Sequence, residues 1–339
     1  MAVSALWPAT SSDIWFLMTQ KEHFTGRYTV PSSLSDKRFD QAAAELIPEH
    51  SRSRLQGWIK NGELTVNGQP RKPRDKVMMD DVLELDAESE IQVSWQPQAI
   101  ELDVVYEDED LLVINKPAGL VVHPAAGHAD GTLVNAILHH SPEAEQLPRA
   151  GIVHRLDKDT SGIMVVARRL AAHTSLVNQL QTRTMGREYE AVCVGALTGG
   201  ATVDAPIGRH PTDRKKMAVT KTGKSAVTHY RVIERFAAHT HIRCQLESGR
   251  THQIRVHLTH VRHPLVGDPV YGGRLYLPKG TDEALREHLN RFSRQALHAR
   301  RLTLEHPSSG ETMSWEVPLP EDFEGLLAEL RRHAREQSA

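Results

Sequence analysis

One stretch of the chain places a carboxylate where it could do chemistry. Residues 151–162 read Gly-Ile-Val-His-Arg-Leu-Asp-Lys-Asp-Thr-Ser-Gly, so Asp157 follows a His-Arg pair and precedes a polar turn. The apolar run 163–167 predicts a strand, which puts Asp157 on a loop at the edge of a sheet. Loops held by a rigid sheet commonly carry chemistry. Asp157 is therefore a candidate nucleophile or general base, and the structural alternative is a turn cap or an ion pair with Arg155.

Five other motifs follow one another along the chain. They are Val113-Ile114-Asn115-Lys116-Pro117, Arg187-Glu188-Tyr189, Gly249-Arg250-Thr251-His252-Gln253-Ile254-Arg255-Val256-His257, Gly267-Asp268-Pro269 and Ala296-Leu297-His298-Ala299. With the stretch around Asp157, these motifs resemble those of the pseudouridine synthases that modify ribosomal RNA. Residues 35–86 resemble a small RNA-binding module, the S4 domain. Together the two resemblances span most of the chain and imply an enzyme that isomerises uridine in RNA.

The resemblance implies that Asp157 is the catalytic residue. Isomerisation breaks the N1–C1′ bond of uridine, rotates the base and joins C5 to the sugar, so we expect no cofactor. A carboxylate can act as the nucleophile or as the base, and the sequence leaves both roles open. A buried carboxylate needs a fixed cation to stay ionised, because burial alone raises its pKa. By the family motif that cation is Arg255, and a structural salt bridge is the alternative.

Two further residues are expected at the target base through the same resemblance. Tyr189 lies in an alternating segment, where a ring ordinarily packs in the core, but in the family it faces the uracil. A flipped uracil needs a π-face to replace its lost stacking, so we expect Tyr189 to stack rather than to remove a proton. Leu297 matches the apolar wall of the uracil pocket, although a leucine there is otherwise a core residue.

Three more side chains are expected to bind the substrate. Arg155 precedes Asp157 by two residues, so both can project toward one cleft, and we expect Arg155 to fill the gap that the flipped base leaves. Arg250 follows Gly249 in a turn, where we favour a phosphate contact over pairing with Asp157. His154 is a possible substrate contact, but a packed or RNA-facing histidine is the better interpretation, and we expect no catalysis from it.

The N-terminal part of the chain predicts a small basic module. Apolar spacing predicts helices over residues 39–47 and 51–61, and alternation predicts strands at 64–66 and 82–85. Between residues 51 and 76, seven Lys/Arg stand against two acids, although the whole chain has a formal net charge of −2. Such a local excess predicts contact with phosphates. A solvated helix face is the alternative.

Eight basic residues are the candidates for RNA contact. In the small module they are Arg52, Arg54, Lys60, Arg71 and Lys72, and in a second basic segment, residues 209–219, they are Arg209, Arg214 and Lys215. A flexible basic arm suits RNA loops, which proteins recognise by shape and by splayed bases. A mobile solvated hairpin is the alternative for the second segment. Trp58 is expected in the core of the module rather than under a base.

The domain organisation follows from these patterns. We expect a disordered leader over residues 1–34, the S4-like domain over 35–86, a linker over 87–100, the catalytic domain over 101–330 and a C-terminal tail over 331–339. An ordered strand in the leader is an equal alternative. The fold class is α+β, and the resemblance implies a large mixed or antiparallel central sheet with an active-site cleft.

Alternation gives the strands of the catalytic domain. We expect them at residues 104–106, 111–115, 120–123, 162–168, 188–194, 227–233, 241–247 and 302–306. Helices are expected near residues 133–138 and 170–180. The order of the strands within the sheet does not follow from periodicity.

Composition narrows the setting. The chain has 339 residues, 39% of them hydrophobic and 25% charged, which suits a globular protein with one small and one large domain. Two cysteines, Cys193 and Cys244, lie in apolar segments, which favours the reducing cytoplasm. Acids gather at residues 101–110 and 321–329. No apolar run is long enough to cross a bilayer, and the 20 histidines show no recognised zinc spacing, so we expect neither membrane nor metal.

The expected partner is large-subunit ribosomal RNA or the pre-ribosomal large subunit, bound by a monomer. The resemblance implies uridines in the helix 69 stem-loop as the substrate. Paralogues with nearly the same catalytic residues modify other sites, so the same chemistry at a different RNA site is one alternative. A noncatalytic RNA-binding assembly factor is the other, although pure binding would not require the set formed by Asp157, Tyr189, Arg255 and Leu297.

Overall fold

A computed structural model describes residues 21–337 except 49, 51, 91–94, 124–129, 214–215, 274–276 and 278–279. The chain divides after residue 94 into two compact units, the small unit and the large unit. This division falls within residues 87–100, the segment expected to be a linker. None of the described helices is long and apolar enough to cross a membrane.

The small unit combines two helices with a three-stranded antiparallel sheet. Its strands are β1 (Lys21–Thr29), β2 (Leu64–Val66) and β3 (Val82–Glu90), and its helices are α1 (Phe39–Leu46) and α2 (Arg52–Asn61). β3 is the central strand of the sheet. Phe39, Leu55 and Trp58 are buried in one apolar core with Leu64 and Leu83 of the strands. The helices and strands predicted for this module are confirmed, and so is the burial of Trp58.

From Lys21 onward the prediction of a disordered leader is wrong, and the alternative of an ordered strand is confirmed. β1 pairs with β3 over its whole length, from Lys21 opposite Glu90 to Thr29 opposite Val82. Backbone groups that are paired in this way form an ordered edge strand. The same pairing extends β3 to Glu90, within the predicted linker. The first 20 residues of the predicted leader lie outside the described residues.

The large unit is built around a nine-stranded sheet. The strands of this unit are β4 (Val104–Glu107), β5 (Leu111–Lys116), β6 (Ser161–Ala167), β7 (Gly186–Val194), β8 (Ala201–Asp204), β9 (Ile207–Arg209), β10 (Met217–Val219), β11 (Val227–Arg235), β12 (His239–Leu246), β13 (Leu297–Glu305) and β14 (Thr312–Glu316). β9 and β10 form a separate two-stranded sheet. The helices are α3 (Leu133–His140), α4 (Leu170–Gln181), α5 (Gln253–His260), α6 (Glu283–Arg291) and α7 (Glu321–Glu336).

β13 stands in the middle of the large sheet. The strand order is β4-β5-β6-β13-β7-β12-β11-β8, and β14 pairs with β13. β13 runs parallel to β6 and antiparallel to β7, so the expected mixed sheet is confirmed. The approach of β6 to β13 requires a glycine, because a Cβ on Gly162 would lie 2.2 Å from the carbonyl oxygen of Ala299. The loop before β6 and the strand β7 therefore flank one central strand.

Two other predictions about the large unit are wrong. Residues 120–123 form no strand, because Gly119 turns the chain at φ 89° and the ammonium of Lys116 donates to the carbonyl of Leu120 at 2.9 Å. A neighbouring strand would need that carbonyl. The predicted tail, residues 331–339, is helical to Glu336 because α7 buries Leu330 and packs Ala334 against an apolar cluster.

Candidate active site

A cleft of about 580 Å³ in the large unit collects the residues predicted to act on the substrate. Its lining includes all three predicted catalytic residues, Asp157, Tyr189 and Arg255, and all four predicted substrate contacts, His154, Arg155, Arg250 and Leu297. These residues come from the loop before β6, from β7, from the turn before α5 and its first residues, and from the start of β13. Elements distant in sequence thus converge on one concave surface, as ligand sites generally require.

Arg255 joins two carboxylates. Its Nη1 donates to Oδ2 of Asp157 at 2.9 Å, while its Nε and Nη2 donate to the two oxygens of Asp268 at 2.7 and 2.9 Å. The Asp268 side chain is completely buried and also accepts the backbone N–H groups of Val270 and Tyr271. Burial would raise the pKa of Asp268, but the hydrogen bonds from Arg255 outweigh burial and lower it. A bidentate fork of this kind fixes the guanidinium in one orientation.

Asp157 keeps one oxygen open to the cleft. Its side chain is 18% exposed, and its Oδ1 accepts no hydrogen bond from any described residue. The imidazole Nε2 of His252 lies 3.8 Å from that oxygen. Behind the side chain, the backbone carbonyl of Asp157 accepts the N–H of Thr160 at 3.1 Å. A carboxylate with a cation on one oxygen and open space at the other can serve as a nucleophile or as a base.

Lys116 supports the loop that carries Asp157. The side chain is 1% exposed, and its ammonium donates to the carbonyls of Pro117, Leu120 and Lys158 at 2.7 to 2.9 Å. Burial lowers the pKa of Lys116 to about 7. The sequence marks the motif around Lys116 but not this role, because a lysine that binds three carbonyls looks like any other lysine before the fold is known.

Tyr189 and Leu297 form an apolar wall of the cleft. They are 7% and 4% exposed, and they lie on the neighbouring strands β7 and β13. Burial raises the pKa of Tyr189, so the phenol is protonated near neutral pH. A protonated phenol can stack on a base or donate a hydrogen bond, but it is a poor proton acceptor.

His154 and Arg155 point in different directions. Nε2 of His154 accepts the backbone N–H of Val165 at 3.1 Å, and burial lowers the pKa of this histidine to about 3, so the ring is neutral. Arg155 is exposed, and its guanidinium has no hydrogen-bond partner among the described residues. One of the two side chains is therefore tied to the sheet, while the other is available to a ligand.

His252 is a residue whose role the sequence did not indicate. It precedes α5 in a left-handed conformation, with φ 57°, which points its ring at Asp157. Its Nδ1 lies 2.8 Å from the hydroxyl of Tyr271, which also accepts the N–H of Met217 on β10 at 2.9 Å. Burial lowers the pKa of His252, and the Asp157 carboxylate acts against that shift. No sequence signal reports a left-handed histidine before the fold is known.

Arg250 does not pair with Asp157. Its Nε donates to the carbonyl of Ser225 at 3.1 Å, and its backbone N–H donates to the side chain of Gln253. The guanidinium still lines the cleft. Of the two arginines considered for Asp157, the structure pairs it with Arg255.

His257 lies in the same motif as His252, and both of its ring nitrogens are engaged. His257 uses one ring nitrogen on Thr228 and the other on the carbonyl of Ala205, both at 2.9 Å. Within the described residues, no three His, Cys, Asp or Glu side chains are grouped so that they could hold a metal ion.

Comparison with known proteins identifies the family of the chain. The family model for RNA pseudouridylate synthase matches residues 110–260, and the S4 domain model matches residues 37–83. The chain is 62% identical over 303 residues to the ribosomal large subunit pseudouridine synthase D of Pseudomonas aeruginosa, which covers 89% of this chain and 95% of the relative. The chain belongs to the RNA pseudouridine synthase family. A pseudouridine synthase is an isomerase, so the protein is an enzyme.

Other pseudouridine synthases extend the match. A protein of the same name from Escherichia coli K12 is 53% identical over 315 residues, covering 93% of this chain and 96% of that one. The solved structure of human RNA Pseudouridylate Synthase Domain Containing 4 superimposes with a TM-score of 0.52 at 26% identity, covering 67% of this chain and 92% of that chain. The predicted α+β fold, with an S4 domain before the synthase domain, is thereby confirmed.

The S4 part of this pseudouridine synthase uses some of its predicted RNA contacts internally. Arg52 donates to the buried carboxylate of Asp40 at 2.8 Å, and the guanidinium of Arg54 lies 5.5 Å from the ring centroid of Trp58. Arg71 donates to a backbone carbonyl at 3.2 Å. By contrast, the side chains of Lys60 and Lys72 are exposed and form no hydrogen bond within the described residues. The structure thus separates basic side chains that already bind groups of the unit from those that do not.

The second basic segment of the synthase is a hairpin. β9 and β10 pair from Ile207 opposite Val219 to Arg209 opposite Met217. Arg209 is exposed at the end of β9, whereas Arg214 and Lys215 lie outside the described residues. The hairpin is connected to the cleft through Tyr271. The N–H of Met217 donates to the hydroxyl of Tyr271, which in turn contacts His252 in the cleft lining.

Proposed function

We propose that this protein converts uridine to pseudouridine in large-subunit ribosomal RNA, with Asp157 as the catalytic carboxylate. The supporting observation is the Arg255-bound carboxylate, which keeps one open oxygen in a cleft beside Tyr189 and Leu297. The relatives that are 53% and 62% identical are named for the large ribosomal subunit. The proposal includes action in the cytoplasm, as a monomer, on the free RNA or on the pre-ribosomal large subunit.

In this mechanism the open Oδ1 of Asp157 either attacks the sugar as a nucleophile or removes a proton from the sugar as a base. Arg255 holds the carboxylate in position through the hydrogen bond from its Nη1 to Oδ2 of Asp157. The N1–C1′ bond breaks, the base rotates, and C5 bonds to C1′ while the C5 proton leaves and N1 gains one. Tyr189, a protonated phenol, stacks on the uracil while it is detached, and Leu297 closes the pocket on another side.

The target uridine is flipped out of its RNA stack. The catalytic carboxylate lies within a concave site that a stacked base cannot enter, so extrusion precedes chemistry, as in other enzymes that act on a base. Arg155 is exposed at the cleft and is the side chain that fills the vacated position in the RNA. Replacing Arg155 with alanine should weaken productive RNA binding while the fold is retained.

Basic side chains outside the cleft contact the RNA backbone. In the small unit these are Lys60 and Lys72, and in the hairpin segment they are Arg209, Arg214 and Lys215. Arg52, Arg54 and Arg71 contribute less, because their guanidinium groups already contact Asp40, Trp58 and a backbone carbonyl. Each phosphate contact should make binding more sensitive to salt.

The proposed target is the helix 69 stem-loop of large-subunit ribosomal RNA. The test maps pseudouridines in ribosomal RNA from cells that lack this protein and from cells complemented with the wild type or with Asp157→Asn. Loss at helix 69 that only the wild type restores supports both the target and the residue. Loss elsewhere keeps the chemistry and reassigns the target, whereas no loss anywhere favours a noncatalytic assembly factor.

A matched control separates catalysis from folding in this experiment. Asp204 is exposed on β8 and does not line the cleft, so Asp204→Asn makes the same chemical change away from the site. Cells with Asp204→Asn should restore every modification that the wild type restores. Equal failure of both variants would indicate loss of protein rather than loss of chemistry.

A further inference from the structure

Arg187 is a buried cation that lacks a partner. The residue is 6% exposed, and its Nε has no hydrogen-bond partner among the described residues. No carboxylate of the described residues forms an ion pair with it, and burial lowers the pKa of its guanidinium. Buried charges are normally paired, because a charge removed from water is strongly destabilising without compensation. The folded protein therefore holds Arg187 in an unfavourable state that a ligand could relieve.

The position of Arg187 directs its guanidinium at the cleft. It precedes Tyr189 by two residues on β7, so both side chains leave the same face of the strand, and both line the cleft. Nη1 of Arg187 lies against Gly249, where an added Cβ would be 2.6 Å away. Gly249 thus provides a notch into which the guanidinium fits, and any larger residue would displace it.

The surroundings of Arg187 favour an anion. Four more arginines line the same cleft outside the Asp157 pair: Arg149, Arg155, Arg183 and Arg250. The two acids of the lining are already engaged, because Asp157 accepts from Arg255 and Glu247 accepts from Arg183 at 2.7 Å. Since positive groups exceed the acids that could neutralise them, the cleft attracts negative charge.

We propose that Arg187 and the notch at Gly249 form a subsite for a phosphodiester group of the RNA strand, next to the target nucleotide. This inference rests on the proposed function, because it assigns part of the same substrate to a position in the same cleft. A guanidinium fork matches the oxygens of a phosphate in geometry and charge. A uracil carbonyl is neutral and would leave the buried charge uncompensated.

The subsite has a signature that a structural arginine would lack. Replacing Arg187 with methionine removes an uncompensated charge, so the free protein should melt at a higher temperature than the wild type. The same variant should bind RNA about 10- to 100-fold more weakly. The slope of the logarithm of affinity against that of salt should fall by about 0.7 for a single-stranded site. A purely structural arginine predicts a lower melting temperature.

The first experiment probes the subsite without RNA. Melting temperatures are measured in inorganic phosphate and in chloride at matched ionic strength for the wild type, Arg187→Met and Gly249→Ala. Arg286→Met is the control, since Arg286 lies on α6 outside the cleft. Phosphate should stabilise the wild type and the control more than the two subsite variants. Equal stabilisation of all four proteins would overturn the proposal.

The second experiment locates the phosphate in the substrate. Single neutral methylphosphonates replace successive phosphates around the target uridine of an RNA on which the wild type makes pseudouridine. One position should weaken binding to the wild type and to Arg286→Met, yet cause no further loss in Arg187→Met, because the two changes remove the same contact. Additive losses at every position would overturn the subsite while leaving the proposed function intact. A wild type without activity on any such RNA would refute the proposed function instead.

Discussion

Two aspartates, one in each unit, are held by arginine in opposite ways. In the small unit, Asp40 is completely buried, and its oxygens accept bonds from Arg38 at 3.0 Å, Arg52 at 2.8 Å and Gln56 at 2.6 Å. Burial would raise the pKa of Asp40, but these hydrogen bonds lower it. In the large unit, Asp157 accepts one bond from Arg255, and its second oxygen faces the cleft.

The contrast shows that an arginine beside an aspartate does not by itself indicate catalysis. At Asp40 both carboxylate oxygens accept hydrogen bonds, and the bonds from Arg52 and Gln56 connect α1 to α2. At Asp157 the arginine is instead oriented from behind by a second carboxylate, Asp268, which takes two of its donors. Asp157 therefore differs from Asp40 in having an oxygen that no described residue hydrogen-bonds and that a ligand in the cleft can reach.

The largest expected effect comes from exchanging the two aspartates for asparagine. Asp157→Asn should lower the rate of pseudouridine formation by about 10⁴-fold or more. It should change the free energy of unfolding by about 1 kcal/mol or less, because Arg255 keeps its two hydrogen bonds to Asp268. Asp40→Asn should leave turnover per folded molecule unchanged but destabilise the small unit by about 2 kcal/mol, since two half-exposed arginines lose their carboxylate. Single-turnover assays and urea unfolding measure both effects. Comparable losses of turnover in Asp157→Asn and Asp40→Asn would contradict the different roles assigned to the two aspartates.

Asp268→Asn should produce a smaller and mixed effect. The substitution leaves the buried Arg255 with one carboxylate, so we expect the large unit to lose about 3 kcal/mol of stability. Turnover should also fall by about 100-fold, because Arg255 no longer has a fixed orientation against Asp157. Rates are compared per folded molecule at a temperature where the variant is native. Unchanged turnover would assign Asp268 to stability alone.

Acid should destabilise the large unit before the small unit. Burial lowers the pKa of His154 to about 3 and those of His123, His239 and His298 to about 4, and all four residues belong to the large unit. As pH falls from about 6.5 toward 4, the unfolded chain takes up protons that the folded unit refuses, so stability decreases. Each unit of lowered pKa corresponds to about 1.4 kcal/mol.

In the small unit, the group with a shifted pKa is a carboxylate rather than a histidine. The pKa of Asp40 is lowered from 3.8, so its contribution is complete above that pH and is lost only as pH falls further. Hydrogen exchange measured by mass spectrometry between pH 7.5 and 4.5 resolves the two units. Simultaneous loss of protection in both units would contradict this order.

The smallest expected effect belongs to Tyr271→Phe. The substitution removes the hydroxyl that contacts Nδ1 of His252, but it keeps the ring that lies 5.0 Å from the Arg255 guanidinium. We expect turnover to fall about 3- to 10-fold with KM unchanged, as for the loss of one hydrogen bond. Tyr106→Phe is the matched control, because the Tyr106 hydroxyl bonds Asp108 instead. Equal turnover in Tyr271→Phe and Tyr106→Phe would show that the contact between Tyr271 and His252 does not affect catalysis.

The sequence predicted best what depends on local pattern. Apolar spacing predicted the two helices of the small unit, and the motifs around Asp157 and Arg255 predicted residues that lie 2.9 Å apart in the structure. Helix α7 was also predictable, because Phe323, Leu326, Leu327 and Leu330 follow helical spacing and are buried. The acids of that segment suggested a solvated surface instead.

The features that the sequence did not predict depend on residues that are distant along the chain. β1 has few apolar residues besides Phe24 and Tyr28, so its strand structure comes from pairing with β3 rather than from its own pattern. Similarly, neither the unpaired state of Arg187 nor the three carbonyls around Lys116 can be known before the chain is folded. Local periodicity does not report which groups a buried side chain meets.

The central place of β13 also determines when the sheet can be completed during synthesis of the chain. The strands β4 to β6 and the strands β7, β8, β11 and β12 leave the ribosome before β13, yet β13 is the strand that joins the two groups within the described sheet. Asp157 belongs to the first group, and Tyr189 and Arg255 belong to the second. Because domains fold as the chain emerges, the sheet that holds Asp157 beside Arg255 can be completed only after translation has passed Glu305. Unfinished chains therefore carry the motifs of the enzyme before the sheet that brings them together is complete.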